Sequence, residues 1–103
     1  MRESAFQNKI IRKLKNLPEC YHIKVWGGGF QKAGIPDLII CYKGYFIAVE
    51  LKNEIGKPTE LQKYHISEIN KAKGFALVVR PQNEQELWAI IKEIDDRTAT
   101  KTS

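Results

Sequence analysis

The sequence predicts an α/β domain of element order α-β-β-β-α-β-α, with a mixed central sheet flanked by helices. Three observations predict it. Apolar residues recur at helical spacing in the opening, middle and closing stretches; alternating or unbroken apolar runs lie between them; and glycine and proline fall at the joints. A chain of 103 residues holds one core. It reads as a single domain over residues 1–96 followed by a disordered tail, 97–103.

From Glu3 to about Leu17, Phe6, Ile10, Leu14 and Leu17 line one side of a helix, while Lys9, Arg12, Lys13 and Lys15 fall between them. Glu3 lies in the first turn, where the helix dipole favours a carboxylate. Pro18 ends the helix. Tyr21 to Trp26 then alternates as a first strand, Tyr21, Ile23 and Val25 on one face and His22, Lys24 and Trp26 on the other. His22 reads as a strand-surface histidine. Gly27 to Gly34 is a glycine-rich loop, whose Gly27 and Gly29 match the start of GxGxxG. Lys32 occupies the third glycine's place and a strand follows, which excludes a dinucleotide fold. The loop either lets backbone approach phosphates, with Lys32 adding charge, or serves as a connector.

Gly34 to Asn53, GIPDLIICYKGYFIAVELKN, reads as two strands joined at Lys43-Gly44, since glycine accepts the positive φ of a tight turn. With a loop of two or four residues, paired positions sum to 87 and Asp37 stands opposite Glu50; a three-residue loop breaks that register. Opposed residues have Cβ atoms roughly 4.5–5.5 Å apart, where like charges destabilise a sheet. A divalent cation compensates, because both carboxylates can reach a hard ion that prefers oxygen. Lys52 shares the face of Glu50. In the blander account Asp37 caps a turn and Glu50 pairs with Lys52. Against it, Ile47, Val49 and Leu51 alternate with Phe46 and Ala48, and Leu38, Ile39 and Ile40 run without interruption, apolar on both faces as in strands at the middle of a sheet.

Gly56 and Pro58 announce a second helix, with Pro58 in its first turn and Thr59 or a near neighbour as cap. It runs to about Lys73 and Gly74 closes it. Leu61, His65, Ile69 and Ala72 mark a buried stripe, and Gln62 and Lys63 begin the more polar side. Phe75 to Val79 fits a fourth, interior strand, with Arg80 facing site or solvent. Asn83 and Glu86 form a variant capping box for a last helix with Leu87, Ile90, Ile91 and Ile94 as its stripe. Trp88 suits packing or a dimer contact.

Charge is unevenly divided. Residues 1–80 hold 14 Lys and Arg against 7 Asp and Glu, whereas residues 81–103 hold 3 against 5. The basic part contains the opposed acids, and a polyanion is its natural partner. Cys20 and Cys41 read as small core residues of a reducing compartment, and with His22 and His65 they lack zinc-ligand spacing. No run is apolar enough to span a membrane, and the polar N-terminal region shows no signal peptide, so a cytoplasmic location is expected.

Ile35-Pro36-Asp37, twelve intervening residues, then Glu50-Leu51-Lys52 resembles the PD-(D/E)XK signature of metal-dependent nucleases. The surrounding layout over roughly residues 2–80 is similar to the stand-alone VRR-NUC nucleases of phages and bacteria. Glu3 stands on an opening helix, glycines precede Gly34-Ile35-Pro36-Asp37, and Gln62 comes early in the next helix. The resemblance implies a restriction-endonuclease-like core and a Mg2+- or Mn2+-dependent endodeoxyribonuclease, acting as a homodimer on four-way (Holliday) junctions. It implies Asp37, Glu50, Lys52 and Gln62 as catalytic residues. Glu3, Asp37, Glu50 and the Leu51 carbonyl are the implied metal ligands. Lys9, Arg12, Lys13, Lys32, Lys57 and Lys63 are the candidate DNA contacts. The alternatives are a non-catalytic basic nucleic-acid-binding module and a restriction-type enzyme.

Overall fold

The elements follow the expected order: α1 (Glu3–Lys15), β1 (Cys20–Lys24), β2 (Leu38–Tyr42), β3 (Tyr45–Leu51), α2 (Glu60–Lys71), β4 (Phe75–Val79) and α3 (Gln85–Thr100), with a 3-10 turn, Pro81–Asn83, before α3. The computed structural model describes residues 1–25 and 33–100. Trp26, the glycines 27–29 and Lys32 lie outside them.

The sheet runs β1-β2-β3-β4, antiparallel except for the parallel β3–β4 pair. One face is the core, where Phe6, Ile10 and Leu14 of α1 and Leu87, Ile91 and Ile94 of α3 pack on Leu38, Ile40, Tyr42, Ile47, Val49, Leu51 and Val79. On the other face α2 covers β3 and β4, and among the described residues Tyr21, Ile23 and Cys41 are exposed there. Tyr21 pairs with Cys41 and Cys41 with Phe46, so one row crosses three strands there. Tyr21 is 68% and Phe46 45% exposed.

Several local expectations are corrected. β1 begins and ends earlier, at Cys20 and Lys24. β4 is a margin of the sheet, made apolar by α2 and α3 rather than by a fifth strand. Its outward groups are met by amides: Asn70 donates to the Ala76 carbonyl and accepts from the Ala76 N–H, both at 2.9 Å, and Asn83 donates to the Val78 carbonyl at 3.0 Å. Asn83 also accepts from the Arg80 N–H at 2.6 Å, so it serves the turn before α3 and not a box with Glu86. Residues 97–100 continue α3 instead of fraying into a tail. Cys41 is exposed, not a core residue, and both cysteines are free.

At the end of α2 it is Lys73, with φ 75°, that takes the left-handed conformation, not Gly74. Gly74 is needed for closeness: a Cβ there would meet Ile69 Cγ2 at 3.0 Å and Phe46 Cδ1 at 3.2 Å. Pro58 stands outside the helix, ahead of the Thr59 cap. The expected stripe is also rotated, since Leu61 and Ala72 are exposed while Gln62, His65, Ile66 and Ile69 are half-buried. No α2 residue is fully buried.

Candidate metal centre

The hairpin that carries the acids closes through Lys43 (φ 49°) and Gly44 (φ 87°), two successive left-handed residues as a tight primed turn requires. Strand pairing from Tyr42–Tyr45 to Leu38–Val49 keeps the sum at 87, which places Asp37 across from Glu50 one step beyond the ladder. The Leu51 N–H donates to Asp37 Oδ2 at 2.8 Å. In an extended strand the N–H and C=O of one residue leave by the same edge, so the Leu51 carbonyl also turns toward Asp37.

Glu50 points to the α2 face and is only 1% exposed. Its Oε2 accepts from Lys52 Nζ and from Gln62 Nε2, each at 3.1 Å. Its Oε1 is buried with no hydrogen-bond partner. Burial first, then the neighbouring Asp37 charge, push the Glu50 carboxyl up to about 7, against the pull of Lys52. A buried oxygen without a donor is costly. Beside a second carboxylate and a carbonyl, it is also what a hard divalent cation ligates, so these residues fit such an ion.

Gln62 is held by its own helix start. Thr59 Oγ1 accepts from the Gln62 N–H at 3.1 Å, and Gln62 Oε1 accepts from the Thr59 N–H at 2.8 Å, a complete capping box. Spending Oε1 on the cap leaves Nε2 to face Glu50. The loop between β3 and α2 forms a wall of the site. A Cβ on Gly56 would lie 3.3 Å from Lys52 Cβ and 3.4 Å from Lys52 Cδ, so this loop packs on the stem of the site lysine. Arg80, expected to face site or solvent, donates to the Gly56 carbonyl at 3.2 and 3.0 Å through Nε and Nη2. Opposite it, Gly34 (φ 81°) lies under Leu61, and His65 Nε2 is 3.1 Å from the Ala33 carbonyl.

Thus Asp37, Glu50, Lys52 and Gln62 come together, with the Leu51 backbone beside them. Glu3 sits half-buried in the first turn of α1. Among the described residues no three His, Cys, Asp or Glu side chains gather as a metal-holding group, so Glu3 is not brought to the pair. Of the candidate DNA contacts, Arg12 and Lys57 are exposed and Lys63 pairs with Glu60 at 3.2 Å. Lys9 and Lys13 both bind the buried Glu84, Lys9 at 3.1 Å, and Trp88 Nε1 donates to the same carboxylate at 2.8 Å. Burial pushes Glu84 up, but hydrogen bonds from Lys13, Trp88 and Lys9 outweigh it and hold its pKa at about 2. Trp88 is therefore an internal contact of α1 and α3.

The sequence offers Thr59 as the cap of α2, which it is, and Arg80 toward site or solvent; the spacing Thr59-x-x-Gln62 also carries the signal for the full capping box. Nothing local in the sequence marks Glu84. No protein-family model, curated protein or solved structure matches this chain.

Proposed function

We propose that this protein is a divalent-metal-dependent DNA endonuclease of the VRR-NUC type, hydrolysing phosphodiester bonds with Asp37, Glu50 and the Leu51 carbonyl as metal donors. The observation that carries the reading is Glu50 Oε1, buried without a donor group beside a second carboxylate, Asp37. A Mg2+ or Mn2+ ion bound there supplies a water of lowered pKa and a polarised phosphoryl oxygen. The residues of the chain do the remainder. Lys52 sets an ammonium beside the acids, where charge develops on the phosphoryl oxygens. Gln62 donates to Glu50 Oε2 and so fixes the carboxylate. The basic first 80 residues attract the phosphate backbone.

Branched DNA is the proposed substrate. Symmetric cuts in a four-way junction need two active sites, hence two copies of a chain this small. The exposed row Tyr21, Cys41 and Phe46 is the surface assigned to the second copy. The test is incubation with end-labelled junction, flap and linear duplex in Mg2+, Mn2+ or EDTA. Paired metal-dependent nicks at the junction are expected from the wild type, and none from Asp37→Ala or Glu50→Ala. A folded Glu50→Ala protein cutting at the wild-type rate overturns the reading. Salt-sensitive binding without any cleavage replaces it with the non-catalytic module.

A further inference from the structure

We infer that Ile55 is an apolar wedge that enters a base step of the bound DNA beside the scissile phosphate, an assignment that rests on the nuclease reading above. Ile55 is 85% exposed, more than any other exposed large hydrophobic residue of the described chain. Burying it would have stabilised the fold. The exposure does not come from a slack loop. Asn53 Oδ1 accepts from the Ile55 N–H at 3.2 Å and from the Gly56 N–H at 2.7 Å, closing a tight turn beneath the side chain. Gln82 Nε2 donates to the Glu54 carbonyl at 2.9 Å, and Arg80 clamps the Gly56 carbonyl from below. The turn is thus fixed on both sides of Ile55, and its Gly56 rests on the Lys52 stem.

This geometry presents one branched aliphatic tip three residues beyond the site lysine and two before the exposed Lys57, with the adjacent Glu54 carboxylate neutralised by the N-terminal amine at 2.9 Å. The exposed Lys57 suits a neighbouring phosphate. An apolar tip beside it suits the stacked faces of bases, and Ile is among the side chains that unstack a step in this way. The cost of unstacking is least where stacking is already interrupted, as at the crossover of a branched substrate. Ile55 is therefore assigned as a residue that selects interrupted duplex, not as a catalytic residue.

The experiment uses four-way junctions carrying 2-aminopurine at successive positions around the crossover, bound in EDTA so that none is cut, with affinity followed by anisotropy. Wild-type protein is expected to raise the fluorescence at one or two positions. Ile55→Ala is expected to bind with the same salt dependence yet give no rise, and to lose its preference for junction over linear duplex when metal is restored. Ile55→Met is expected to restore both. Junction binding and metal-dependent cutting without a rise at any position overturns the wedge and leaves the nuclease standing. A rise that survives in Ile55→Ala, with a shift to a smaller sedimenting species, overturns it in favour of a protein contact. Absence of DNA binding at every salt concentration removes both readings together.

Discussion

At the scale of single residues, Glu50 and Glu84 are the two buried carboxylates of the described chain, and they are opposites. Glu84 has every need met by Lys9, Lys13 and Trp88, whereas Glu50 keeps one oxygen unmet. A cation that binds only the folded form stabilises it, by about 2.7 kcal/mol at a hundredfold excess over Kd. For a domain of this size each kcal/mol moves Tm by about 4–8 °C. Differential scanning fluorimetry is accordingly expected to show a clear rise in Tm when Mn2+ or Mg2+ is added to the wild type, and no rise for Glu50→Ala. Glu84 governs acid stability instead. Its folded pKa of about 2 lies below the ordinary 4.5, so its contribution is full above about 4.5 and disappears as the pH falls toward 2. Urea unfolding at pH 6 is expected to find Glu84→Gln about 1–3 kcal/mol less stable than wild type, with the gap closing at pH 3.

At the scale of elements, the start of α2 joins helix capping to the site through one amide. Gln62→Glu preserves the cap, since Glu serves equally at that place in the box, but it turns a donor to Glu50 into a second negative charge. The expected result is unchanged helix content by circular dichroism with cleavage strongly reduced. Thr59→Ala removes the hydroxyl acceptor and is expected to cost about 1 kcal/mol in chemical unfolding. The hairpin and its turn are legible from the sequence, and its register follows only once the loop length is known: Lys43 and Gly44 form a two-residue turn, which selects the pairing that sets Asp37 across from Glu50. Gln62 was legible only as a match to a pattern, and its inward direction was not. The reason is that α2 buries no side chain completely, so its 3.6-residue stripe is weak: His65 and Ile69 belong to it as expected, but Gln62 and Ile66 stand where Leu61 and Ala72 were expected. The helix end was misassigned for a similar cause: Gly74 is there for close packing, and the left-handed turn fell to Lys73.

At the scale of the molecule, what escaped the sequence was which surfaces are spent and which are left. Lys9 and Lys13 look like part of a free basic face until Glu84 claims them from far along the chain. Phe46 reads as part of an apolar interior strand, yet it and its row neighbour Tyr21 are exposed among the described residues. If that face holds a second copy, Phe46→Asp is expected to convert a dimer to a monomer in sedimentation and to abolish paired nicking while sparing single nicks. At β4, Asn70 and Asn83 occupy backbone groups that a further strand would use. At these three backbone groups that margin is therefore closed to chain-by-chain growth. Fibril seeding through β4 requires both asparagines to let go, so loss of Asn70 is a liability for colloidal shelf life before it is one for catalysis.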